Sequence, residues 1–94
     1  MNTQKLEQVP IDKLVPYARN ARTHSKEQIA QLRASLREFG FVSPAVIDAD
    51  YNILVGHGRI TAAREEGYET VPCVFAENLT EAQKRAYILA DNQL

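Results

Sequence analysis

The sequence predicts a small α+β domain, a short mixed sheet with three helices packed on it. Three observations carry that reading. Apolar residues recur at helical spacing between Ser25 and Gly40, with a capping pattern at the start and a glycine at the end. Short apolar runs bounded by turn residues occur at Ala45–Asp48, Ile53–Val55 and Val71–Phe75. The two kinds of signal interleave in the order β, loop, α, β, β, α, β, α. The 94 residues suffice for one such core, so residues 1–94 are read as a single domain.

Taken in order, Val9–Asp12 is a short extended segment, and Pro10 biases Val9 toward β and toward a sheet edge. Leu14 and Val15 lead into Pro16–His24, which has neither period and reads as a loop. Within it Arg19 and Arg22, three apart around Asn20, can reach a common anion. A plain solvent-exposed loop fits the same residues. Ser25 with Gln28 makes a capping box, Ile29, Leu32, Leu36 and Phe39 define one buried stripe, and Gly40 closes the helix. Ser35 lies beside that stripe, either as a tolerated small residue or as a hydroxyl aimed at a site.

Ala45–Asp48 and Ile53–Val55 flank the turn chemistry of Asp48–Asn52 and form a hairpin. A second helix follows Gly56 and ends at Gly67. Val71–Phe75 is an apolar strand in which Cys73 packs as a small apolar residue. Thr80 with Gln83 repeats the capping box and opens a third helix. Ala82, Ala86, Leu89 and Ala90 give that helix a small-residue face, with Tyr87 and Ile88 beside it. The chain stops in or just past this helix without a glycine cap, so it is expected to be a domain of a longer chain.

Net charge is −1, which argues against a general polyanion binder. The charge is uneven, however. Lys13, Arg19, Arg22, Lys26, Arg33 and Arg37 face a single acidic residue, Glu27, over the same stretch, and the later part is acidic. A basic N-terminal half suits a nucleotide or a nucleic acid, although Arg33 and Arg37 fit a solvated helix face as well. No apolar run is long enough to cross a bilayer, the first residues are polar, and a single cysteine cannot form an internal disulfide. The expected compartment is the cytoplasm.

The stretch that carries chemistry is Ile53–Arg59. An apolar strand ends in Gly56-His57-Gly58-Arg59, and a helix begins. Free N–H groups at a helix N-terminus, two glycines that admit close approach, and the planar donor fork of Arg59 together describe an anion-binding turn. An ordinary strand-to-helix connection also fits the turn taken alone. His57, in the same turn, is a candidate acid or base near neutral pH or a phosphate contact. Ser35 and Ser43 add candidate hydroxyl donors. His24 and His57 are far apart in sequence, and no HExxH, Cys/His or GxxxxGKS motif occurs, so no metal site is expected from the motifs.

In this order the residues resemble the ParB N-terminal domain, which shares its fold with sulfiredoxin. The resemblance is carried by the arginine-bearing loop, Leu32-x-x-Ser35-Leu36 through Gly40, Pro44-x-Val46-Ile47, Gly56-x-x-Arg59, Ala62-Ala63, Gly67 and Val71-Pro72. With Leu79–Tyr87 and Ala90–Asn92, the chain looks most like the ParB-like domain, also labelled a ParB-like nuclease domain, fused ahead of phage and bacterial DNA methyltransferases. The resemblance implies a ParB/sulfiredoxin-like fold and a nucleoside-triphosphate site. It assigns that site to Gly56, His57, Gly58, Arg59, Arg19, Asn20, Arg22, Ser35 and Ser43. It implies CTP or ATP as nucleotide, Mg²⁺ as accompanying ion, DNA as a partner through regions outside this chain, and a homodimer.

This chain also departs from the family at the turn. The ParB turn is usually Gly-Glu-Arg-Arg followed by a further Arg; here His57, Gly58 and Thr61 replace the Glu and two of the arginines. His57 stands where sulfiredoxin has its catalytic cysteine, so sulfinic-acid reduction is excluded on chemical grounds. The leading expectation is a nucleotide-binding module associated with DNA binding or modification. The alternatives are a phosphate-cleaving enzyme (a nuclease or an NTPase) and a DNA-docking scaffold without catalysis.

Overall fold

Side chains alternate across a short sheet, and that alternation sets the layers. The structure, a computed structural model, describes residues 5–17 and 24–92. Strands β1 (Leu6–Pro10), β2 (Val15–Pro16), β3 (Ala45–Ile47), β4 (Asn52–Val55) and β5 (Thr70–Phe75) form one sheet in the order β1-β5-β3-β4-β2. Helices are α1 (Lys26–Phe39), α2 (His57–Glu65) and α3 (Glu81–Asn92). Ala45, Ile47 and Ile53 point into the larger core with Ile29, Leu36 and Ile60, beneath α1 and α2. Leu54 points to the other face, where it meets Tyr17, Ala76 and Ile88 beneath α3. A period of two along β3 and β4 therefore places one layer of helix on each face of the sheet.

The sheet is mixed, as expected. β1 pairs antiparallel with β5 at the edge that Pro10 tolerates, and β3 and β4 form the antiparallel hairpin. β3 runs parallel to β5, and β2 runs parallel to β4. Both capping boxes form: Ser25 Oγ accepts from the Gln28 N–H at 3.1 Å, and Thr80 Oγ1 accepts from the Gln83 N–H at 3.1 Å. Cys73 is buried in the larger core, and burial pushes its thiol up to about 11, so it stays protonated.

Four expectations are corrected. The extended segment placed at Val9–Asp12 instead begins at Leu6 and ends at Pro10, with Ile11–Lys13 forming a 3-10 turn. Val15 and Pro16, read as leading into and opening a loop, form β2; two residues carry no period to read, and the pairing is supplied by β4. Phe39 is not part of the buried stripe: it is 66 % exposed, because α1 ends there and the chain turns away through Gly40. The small-residue face of α3 is solvent-exposed, with Leu89 57 % exposed; α3 instead meets the sheet along the narrow line of Lys84 and Ile88, one turn apart.

That line includes a buried ion pair. Asp48 is 1 % exposed in the β3–β4 turn. Its carboxylate accepts from the Asp50 and Asn52 N–H groups at 2.9 Å each, from Asn52 Nδ2 at 3.0 Å and from Lys84 Nζ at 2.9 Å. Lys84 also donates to Glu81 at 3.1 Å, and Glu81 accepts from the Tyr17 hydroxyl. Burial alone would raise the Asp48 pKa, but its hydrogen bonds, led by Lys84 and Asn52, outweigh that and hold it below the usual carboxylate range.

Candidate functional site

The turn between β4 and α2 is shaped by Gly56. Its φ of 106° lies in the left-handed region, where a side chain is strained. A Cβ there would also come within 3.1 Å of both the Ala45 Cβ and Arg59 Nη2. The Gly56 carbonyl accepts the first helical bond, from the Ile60 N–H at 2.9 Å. The N–H groups of His57, Gly58 and Arg59 therefore lie in the first turn, where a helix has no partners of its own to offer them. Among the described residues, no side chain caps this end.

The turn opens into a hollow of about 200 Å³. His57, Gly58 and Arg59 form one wall, His24 and Leu32 come from the α1 side, and Ile88 and Asp91 come from α3. A second hollow, of about 380 Å³, adjoins it and shares Leu32 and Arg59. Ser35, Phe39, Phe41 and Ser43 line this second space. The first hollow gathers the polar groups of the turn, whereas the second is more apolar and roomier.

Arg59 stands between the two. Its Nη2 donates to the Pro44 carbonyl at 3.1 Å, and its guanidinium carbon lies 5.9 Å from the Phe41 ring centroid, a cation–π distance. Its Nε is buried and has no partner among the described residues. Burial lowers its pKa, partly offset by Asp91, yet a guanidinium remains charged at neutral pH. A fixed cation with a spare buried donor is a group that lacks an acceptor. His57 Nε2 is likewise buried without a partner among the described residues. Burial, and then the nearby His24, lower the His57 pKa, so its ring is neutral at neutral pH.

Of the residues named from sequence, the structure brings Gly56, His57, Gly58 and Arg59 together in the first hollow and places Ser35 and Ser43 beside Arg59 in the second. Arg19, Asn20 and Arg22 lie outside the described residues. Arg33 and Arg37 lie on a solvent-facing side of α1, as the solvated-face reading expects, and there they pair with acidic residues of the segment after α2's first turns. Arg33 Nε and Arg37 Nη1 each meet Glu66 Oε2 at 2.6 Å, and Arg33 Nη1 meets Glu65 at 3.1 Å. Sequence reasoning missed His24, Ile88 and Asp91 as site residues, because they reach the hollow from segments remote from the turn, His24 from before α1 and the other two from α3. Among the described residues, no group of three His, Cys, Asp or Glu side chains is placed to hold a metal ion. No helix is long and apolar enough to cross a membrane among them.

Fold and site together define a small α+β domain that presents a helix N-terminus, and an arginine donor without a partner among the described residues, to a polar hollow. The ParB N-terminal domain family matches residues 1–93. The chain is 46 % identical over 76 residues to the ParB-like nuclease domain-containing protein YnaK of Escherichia coli (strain K12), covering 81 % of this chain and 87 % of that protein. The chain therefore belongs to the ParB N-terminal domain family. Its fold is similar to that of chromosome-partitioning protein ParB from Caulobacter crescentus complexed with CTP-γ-S, with a TM-score of 0.83 and 27 % identity. That match covers 94 % of this chain but 52 % of the ParB chain, so this chain spans about half of it. It also shares the fold of sulfiredoxin from Arabidopsis thaliana, with a TM-score of 0.69, 19 % identity, and coverage of 90 % of this chain and 97 % of that one.

Proposed function

We propose that this chain is a nucleotide-binding module that holds the phosphates of a nucleoside triphosphate at the N-terminus of α2. The observation that carries the reading is the buried, unpartnered Nε of Arg59 beside the free N–H groups of the turn. Phosphate oxygens in the first hollow would satisfy both, with His57 as a further hydrogen-bonding partner. The sugar and base would occupy the adjoining space lined by Ser35, Phe41 and Ser43, and Arg59 spans the two. The Caulobacter ParB complex with CTP-γ-S makes CTP the first nucleotide to test, with ATP second. Mg²⁺ would enter with the nucleotide, held mainly by phosphate oxygens and water, with Asp91 the carboxylate at hand. His57 would act as a phosphate contact, and the module would bind the nucleotide without cleaving it.

At the level of the whole protein, this module would operate in the cytoplasm and couple nucleotide binding to DNA binding or modification. DNA would be contacted through segments outside this chain, in a homodimer. Pairing of Arg33 and Arg37 with Glu65 and Glu66 supports that division of labour, because it offsets the charge of two exposed cations that could otherwise attract DNA phosphates. The test is isothermal titration with CTP, ATP and GTP, with and without Mg²⁺, on the wild type and an Arg59→Ala variant. Saturable binding of one triphosphate, lost in the variant, is expected. Equal, weak, salt-sensitive binding of all three by both proteins would contradict the reading.

A further inference from the structure

Gly58 is buried, and the place where its side chain would stand is already taken. A Cβ there would come within 2.9 Å of His24 Nε2 and within 2.9 Å of the Leu32 Cδ1. The His24 imidazole thus lies directly against the first turn of α2. It lines the same hollow as His57 and Arg59 while arriving from a segment that precedes α1. We propose that His24 is a phosphate-contacting residue of this site, its imidazole occupying the place that Gly58 leaves open and offering a ring N–H to the bound anion. The proposal rests on the nucleotide reading above and adds a residue to it.

Three features support this role. First, the absence of a side chain at Gly58 is what admits the ring: any larger residue must displace it or Leu32. Second, the hollow gathers few charged groups. Arg59 and His57 face it from α2, His24 from the α1 side, and Asp91 from α3. Among the described residues of the hollow, Arg59 is the one fixed cation and Asp91 opposes it, so the two imidazoles are the groups there that can add N–H donors to a bound anion. Third, His24 and His57 are close enough that His24 disfavours charge on His57. An anion between them reverses that, since each protonated ring then donates a charge-assisted hydrogen bond to it. Binding is therefore coupled to proton uptake, and affinity rises as pH falls through the histidine range.

Inorganic triphosphate is the probe, titrated calorimetrically between about pH 8 and about pH 5.5, with histidine ring signals followed by NMR. In the wild type, affinity is expected to rise roughly tenfold over this range, the scale of one charge-assisted hydrogen bond. Saturation should shift the His24 ring signals. His24→Gln should bind with a flattened pH profile. Gly58→Ala, which pushes a methyl into the imidazole, should reproduce that loss while its helical circular dichroism stays native. If His24→Gln keeps the wild-type affinity and pH profile while Arg59→Ala abolishes binding, the site stands and the role of His24 is overturned. If the wild type binds no triphosphate at any pH, the phosphate site itself is overturned, and His24 with it.

Discussion

Lys84, Arg33 and Arg37 differ from Arg59 in one respect that decides what each can do. The first three have carboxylate partners inside the fold: Lys84 meets buried Asp48, and the two arginines share Glu66. Arg59 is equally well anchored, by the Pro44 carbonyl and the Phe41 ring, but keeps a buried donor unsatisfied. Cations of the first kind hold elements together. A cation of the second kind carries an unmet requirement for an acceptor, and among the described residues nothing meets it. Counting basic residues along the chain cannot separate the two kinds, because partners such as Glu65 and Glu66 lie on another helix.

Substitutions should separate them in a definite order. The largest effect on stability is expected from Lys84→Met, which leaves Asp48 buried without its counter-ion. Denaturant unfolding should show a loss of about 3 kcal/mol, with α3 the element released. Asp48→Asn should show the pH signature of the same pair. The Asp48 pKa is lowered in the folded state, so its stabilising contribution is complete above about pH 4, the unfolded value, and is lost as pH falls through the lower folded value. The wild type should lose stability steeply below about pH 4, and the variant should lose less over the same interval, as measured by urea unfolding at each pH.

Arg59→Ala should have the opposite profile. Triphosphate affinity is expected to fall roughly a hundredfold, since charge-assisted bonds to a desolvated anion are lost, while thermal unfolding changes little. Gly56→Ala comes next. The left-handed backbone and the contact with Ala45 should cost about 1–2 kcal/mol in stability and misplace the turn, so calorimetry should show weakened phosphate binding as well. Arg33→Ala and Arg37→Ala should have the smallest effects. These pairs sit on partly exposed side chains screened by solvent, so each substitution is expected to change stability little and to leave nucleotide affinity unchanged. A large affinity loss in either would collapse the distinction between the two kinds of cation.

Much of the fold was legible in the sequence where the signal is local. Capping boxes at Ser25 and Thr80, the turn chemistry after Asp48 and the glycine at the start of α2 each act through neighbours within four residues, so the sequence displays them directly. The legibility fails where partners are remote. β2 has two residues and exists because β4 offers it a ladder. The face of α3 was misread because Ile88, not the row of alanines, packs with Tyr17, Leu54 and Ala76. At the site, Gly56–Arg59 was visible as a motif, but the reason for glycine at Gly58 is an imidazole from before α1. No spacing rule reports that juxtaposition.

The most direct test of the central claim reads the Arg59 donor itself. In ¹⁵N-labelled protein, the Arg59 Nε–Hε signal and the amides of His57, Gly58 and Arg59 should be followed as CTP is added. The expected result is a saturable shift of all four, with Arg59 Nε–Hε moving as it gains a phosphate acceptor, and no comparable shift at Arg33 or Arg37. Shifts confined to Arg33, Arg37 and other exposed cations, with Arg59 Nε–Hε unmoved at saturation, would contradict the account.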